Sequence, residues 1–228
     1  SMGIGASWAA LVSAGLISAS EARQIRRHEH HLQMLRVRLH YLAKRREDRL
    51  IFDFQNDLAA QLGFQNNMRR RASEQLMRGF YRCAKFISLM NDILLQLLKD
   101  RLTQFDEATT SINDRFESRH GLLEIKSATL LQRQPSAILE SFLLLEKDQT
   151  LKGMSPNLLR ALYRVKNLVN RDFRQSPDHK KLFIEILKQP VGVTHALRLM
   201  NRYGILGRYI PAFGRIVGQM QHDLFHVY

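Results

Sequence analysis

Apolar residues recur at steps of three and four along most of the chain, a spacing that predicts helices nearly everywhere. Ser18-Ala-Ser-Glu21 opens the first long helix as a capping box, with a serine hydroxyl and a glutamate carboxylate taking up free amides at a helix start. Ile25, His28, Leu32, Leu35, Leu39 and Leu42 then lie as a stripe along one face. A shorter helix is expected over residues 48–62, ended by Gly63, which suits the left-handed conformation beyond a helix end. The strongest pattern covers residues 71–102. There Leu76, Phe80, Cys83, Ile87, Met90, Leu94 and Leu97 keep a 3.5-residue rhythm, and Phe86, Leu89, Leu95 and Leu98 add a second apolar face. Such a helix sits between neighbours in a bundle and measures roughly 45 Å. Residues 20–46 are long enough to be its antiparallel partner.

The pattern then weakens. Residues 103–132 are polar and poorly periodic, and read as a connecting segment with room for a short extended pair turning at His120-Gly121. Beyond it, Pro135, Pro156 and Pro177 mark helix starts 21 residues apart, two of them as Ser155-Pro156 and Ser176-Pro177. Serine caps free amides, and proline costs little at the first helical position. Pro190 and Gly204 punctuate the rest before a terminal helix. The fold expected is all-α: long antiparallel helices forming a bundle over residues 3–102, the connection, then shorter helices over 133–228, with at most one short β-hairpin. Ser1-Met2 is expected to be a tag-cleavage scar.

Composition changes this picture little. Apolar residues make up 45% and charged residues 25% of the 228, ordinary values for a globular protein. No apolar stretch approaches the roughly 20 residues of a membrane span, so no membrane partner is expected. Cys83 is the only cysteine and cannot close an intrachain disulfide, which fits a reducing, cytoplasmic setting. The net charge of +14 attracts phosphates and anionic partners in general. Between Arg23 and Arg49, nine Arg and Lys face only Glu29, Glu47 and Asp48; Arg69, Arg70 and Arg71 form a second block, followed by Arg78, Arg82 and Lys85. The plain reading is solvated outer faces of long helices. The signatures of dedicated nucleic-acid readers are missing.

Candidate chemistry is sparse. His28-Glu-His-His31 has two histidines one turn apart, but His28 falls on the apolar stripe, and a packed edge histidine is favoured over a ligand. Cys83 occupies a seam position, which favours packing over nucleophile. Glu146-Lys-Asp148 spaces two carboxylates as a metal pair could, yet reads as a solvated helix end. No Gly-rich phosphate loop, Gly-x-Ser-x-Gly elbow, Gly-Ser dipeptide or Asp-x-Asp pair occurs. His222 and His226 share a helix face near the end, beside Asp223, but two imidazoles alone leave a zinc shell incomplete. No catalytic, cofactor-binding or metal residue is assigned.

Two segments carry a resemblance. Arg215-Ile-Val-Gly-Gln-Met-Gln-His-Asp-Leu-Phe-His-Val-Tyr228 resembles the stretch that, in the bacterial bifunctional PII uridylyltransferase/uridylyl-removing enzymes, leads into Thr-Val-Asp-Glu-His-Thr and the first metal histidine of the His-Asp hydrolase domain. Arg45-Arg-Glu-Asp-Arg-Leu-Ile-Phe-Asp-Phe-Gln55 is similar to the family's Asp-Arg-Leu-Leu-Phe-Asp-x-Gln stretch behind the nucleotidyltransferase domain. Arg133-Gln-Pro-Ser-Ala-Ile-Leu139 and Leu182-Phe-Ile-Glu-Ile-Leu187 fall between them in the expected order. The resemblance implies a helical piece joining two opposed activities, transfer of UMP from UTP to a tyrosine of PII and hydrolysis of that bond. The same resemblance implies magnesium for the parent enzyme, PII and UTP as its partners, and the nucleotidyltransferase and His-Asp domains as neighbours. The piece itself is expected to be inactive and to bind no cofactor. Arg49, Asp53 and Gln55 match family positions, and an i,i+4 pair between Arg49 and Asp53 is expected, in a structural or substrate-facing role. The alternative is a basic helical module that engages nucleotide, PII or RNA.

Overall fold

Ser18 does cap the second helix as a capping box, with its hydroxyl on the Glu21 amide and the Glu21 carboxylate on the Ser18 amide. The computed structural model describes residues 7–68, 70–102 and 109–216, which fall into two compact units divided between Ser88 and Leu89. The first unit holds α1 (Trp8–Ser13), α2 (Ala19–Ala43), α3 (Phe52–Gln61) and the start of α4 (Ala72–Leu102). Buried Leu35, Leu58, Ala59 and Leu76 form a core cluster drawn from α2, α3 and α4. His28 lies against Cys83 and Phe86 while Leu35 joins Leu76, so α2 and α4 run antiparallel, as the stripes predict. Trp8 on α1 donates from Nε1 to Glu29 at 2.9 Å and ties α1 to α2.

The second unit corrects the all-α expectation. Its helices remain dominant, but it contains a four-stranded mixed sheet in the order β1 (Thr109–Ser111), β2 (Phe116–Arg119), β3 (Leu122–Ile125), β4 (Gly153–Met154). The β2–β3 hairpin turns at His120 and Gly121, both at positive φ (53° and 72°), the signature of a two-residue hairpin turn. β1 adds antiparallel to β2, and β4 adds parallel to β3 with Leu122 opposite Gly153 and Leu123 opposite Met154. β1 is exposed throughout and β4 is two residues long, so neither shows the alternation that marks a strand in sequence.

Around the sheet lie α5 (Leu130–Arg133), α6 (Ala137–Lys147), α7 (Pro156–Val165), α8 (Arg171–Gln175), α9 (Pro177–Leu187), α10 (Val193–Arg202), α11 (Leu206–Tyr209) and α12 (Pro211–Ile216). Pro156 and Pro177 stand at helix starts as expected, whereas Pro135 precedes the N-cap Ser136 of α6. α6 is buried on nearly all sides; Ile138, Leu139 and Phe142 have no exposed surface, and α5, α9 and α10 surround it. Among the described residues, no helix is long and apolar enough to cross a membrane.

Candidate functional site

The segment that carries the family-like motif is not helical throughout. After Lys44, which closes α2 in the left-handed conformation (φ 53°), the chain is neither helix nor strand up to Ile51, the N-cap of α3. Two adjacent carboxylates hold it there. Glu47, 6% exposed, accepts from Arg45 Nη2 at 2.9 Å and from the Arg49 amide at 3.0 Å, with Arg49 Nε at 3.6 Å. Asp48 accepts from Arg36 Nε at 2.6 Å and Nη2 at 3.2 Å, a two-pronged grip from α2, and also faces His40 Nε2 at 3.3 Å and Arg46 Nε at 3.6 Å. Gln55, buried on α3, donates from Nε2 to the Leu50 carbonyl at 3.1 Å and fixes the entry to the helix.

This geometry sets the electrostatics. Hydrogen bonds from Arg36 and then His40 hold the Asp48 carboxyl down at about 2. The Arg49 amide, followed by the charges of Arg45 and Arg49, keeps Glu47 below the ordinary carboxylate range against the opposing push of burial. Beside the segment lies a cavity of about 360 Å3, walled by Leu32, Leu35, Leu39, Leu50, Leu58 and Phe80, with Arg36 and Asp48 as its charged lining. Both acids are ionised and engaged by arginines, so neither is a free base or metal donor. The arrangement suits holding a surface in register or seating an apolar group. Among the described residues, no three His, Cys, Asp or Glu converge on one point.

The matched positions Arg49, Asp53 and Gln55 do not act as a set. Arg49 precedes α3 and turns to Glu47, so the expected i,i+4 pair with Asp53 does not form; Asp53 stands exposed in the first turn of α3. The helix expected over 48–62 begins at Phe52, because the ion pairs of Glu47 and Asp48 hold the preceding residues out of the helix. Glu47, Asp48, Arg36 and His40 were not singled out by sequence; the run Arg45-Arg46-Glu47-Asp48-Arg49 was the available signal.

The other singled-out residues are placed apart. His28 Nδ1 lies 3.1 Å from Cys83 Sγ, and its ring packs on Phe86 at 4.7 Å, while His30 is exposed. Burial pushes the Cys83 thiol up, away from reactivity. Asp148 accepts from the Thr150 amide at 2.9 Å and, at its exposed helix end, also from the Thr150 hydroxyl. Glu146 overturns its solvated reading: the residue is 4% exposed, neither carboxyl oxygen has a hydrogen-bond partner, and burial pushes it up to about 7. Its Cγ lies 3.3 Å from where a Cβ on Gly192 would stand, at the start of α10. His222, Asp223 and His226 lie outside the described residues.

Comparison with known proteins gives a consistent assignment. Residues 2–95 match the family described as GlnD PII-uridylyltransferase, and residues 116–209 match the uridylyltransferase GlnD third domain. Relatives named bifunctional uridylyltransferase/uridylyl-removing enzyme align along 99% of this chain: 54% identical in Nitrosospira multiformis, 51% in Thiobacillus denitrificans and 46% in Chromobacterium violaceum. In each case the match covers 26% of the relative, so the chain spans about a quarter of the length of the curated proteins it matches. No solved structure gives a significant match. With two GlnD family models matched one after the other along the chain and 99% of the chain aligned to these relatives, the chain belongs to the bifunctional uridylyltransferase/uridylyl-removing enzyme family.

Proposed function

We propose that the chain is the helical region of a larger cytoplasmic enzyme that transfers UMP from UTP to a tyrosine of PII and hydrolyses the same bond, and that it positions the two activities without performing either. The observation that carries this reading is the commitment of Glu47 and Asp48: both carboxylates of the family-like segment are engaged by arginines and by backbone of their own unit. Acids so engaged fix a segment and leave no base or metal donor for phosphoryl chemistry. PII and UTP are then partners of the whole enzyme, and its magnesium belongs to carboxylates outside the motif held here.

The test is direct. The chain, incubated with PII, radiolabelled UTP and magnesium, should leave PII unlabelled, and should release no UMP from modified PII. Labelling above a no-protein control would refute the positional role.

A further inference from the structure

The cavity of the first unit has two unlike ends. Leu35 and Leu39 of its wall are 4% exposed and Leu58 is fully buried, so the inner end offers no polar side-chain atom. Arg36 and Asp48, its charged lining, are both exposed and mark the end that meets solvent. Arg36 places Nε 2.6 Å and Nη2 3.2 Å from the Asp48 carboxylate, which leaves its Nη1 without an acceptor among the described residues. His40 Nε2 at 3.3 Å and Arg46 Nε at 3.6 Å share that same carboxylate. Residues 36–49 hold six Arg and Lys against Glu47 and Asp48 alone, and Glu47 is itself engaged by Arg45 and Arg49. The outer end therefore carries more positive charge than its acids balance.

An apolar chamber with a few polar groups at one end is the usual form of a small-molecule site, and those groups fix which end of a ligand points outward. We propose that this cavity binds an amphipathic carboxylate, with its apolar body against the leucine wall and its anionic head received by Arg36. An apolar cavity of about 150 Å3 holds benzene, so one of about 360 Å3 accommodates roughly ten to fourteen heavy atoms. A planar carboxylate matches paired N–H groups of a guanidinium, and its single charge suits one arginine fork better than the roughly two charges of a phosphate monoester. A cationic head would meet a carboxylate that Arg36, His40 and Arg46 already surround. This site goes beyond the positional role and does not depend on it.

Calorimetric titration of the 228-residue chain with decanoate, decanol, acetate and decyltrimethylammonium, each below its micelle-forming concentration, tests the site. Decanoate should saturate at one per chain and bind about tenfold or more tighter than decanol, the gain of one charge-assisted contact. Acetate, with no body to bury, should not saturate. Leu32→Trp, at a half-buried position of the wall, fills the chamber and should weaken decanoate and decanol alike. Arg36→Gln should weaken decanoate by about tenfold and leave decanol unchanged. Arg198→Gln, an exposed arginine of α10, should alter neither. Circular dichroism reports whether each variant folds, and where one does not, the order of the probes on the unaltered chain still decides. Absence of saturable decanoate binding, equal or tighter binding of decanol or decyltrimethylammonium, or unchanged decanoate binding by a folded Leu32→Trp or Arg36→Gln would overturn the site. The readout is binding alone, so its failure is separate from that of the transfer assay.

Discussion

Replacing Glu146 with glutamine isolates the effect of a buried, unpaired carboxyl on stability. Burial raises this group from 4.5 to about 7 in the folded chain. The folded state therefore holds a proton that the unfolded state has already released across that interval. The sign follows: the protonated acid costs nothing below about pH 4.5, and stability falls as pH rises until the folded carboxyl has also ionised near pH 7, beyond which the loss is constant. At 1.36 kcal/mol per pH unit, a shift of about 2.5 units amounts to ~3 kcal/mol. Glutamine keeps the shape of the protonated acid and does not titrate, so any cost of its amide is the same at every pH. Urea unfolding followed by circular dichroism between pH 4 and 8 should show wild type losing ~3 kcal/mol more than Glu146→Gln over this window. Asp92, also raised by burial, titrates in both proteins and cancels in the difference. Parallel pH profiles for the two proteins would mean that the carboxylate finds solvent or a cation, and the burial reasoning would be wrong.

Two further substitutions probe the family-like segment. Gln55→Ala removes the donor to the partly buried Leu50 carbonyl and should cost about 1 kcal/mol, read as a lower urea midpoint with an unchanged slope. Asp48 has a depressed carboxyl, so its contribution is complete above its unfolded value of 3.8 and disappears as pH falls through about 2. Asp48→Asn should therefore be less stable at neutral pH and show a shallower acid-unfolding limb between pH 4 and 2, followed by circular dichroism.

What the sequence disclosed and what it concealed divide along a physical line. The stripe from Ile25 to Leu42, the capping box at Ser18 and the turn at His120-Gly121 depend on neighbours a few residues away, and each is present in the structure. The non-helical stretch before α3 depends on Arg36 and His40, which approach Asp48 from α2 only after folding. Leu95 falls on an apolar stripe of α4 yet is 51% exposed, because periodicity identifies a face and not what covers it. Glu146 misleads for the opposite reason: a carboxylate near a helix end reads as solvated, and only the approach of α9 and α10 to α6 buries it. In the candidate site, the matched positions were legible as a motif. The residues that do the holding, Glu47 and Asp48, were legible only as part of a charge run.

The parallel pairing of β4 with β3 closes one edge of the sheet in the second unit. Lys152 donates its amide to the Gly121 carbonyl at 2.7 Å and Ser155 to that of Leu123 at 2.9 Å, so residues beyond α6 cover the outer side of a strand whose four side chains are all buried. A chain ending with α6 keeps the β2–β3 hairpin but leaves that side as an open, apolar strand edge, the kind that recruits strands from other molecules. The short β4, through the pairing of Met154 with Leu123, is therefore what keeps that edge from being open to self-association.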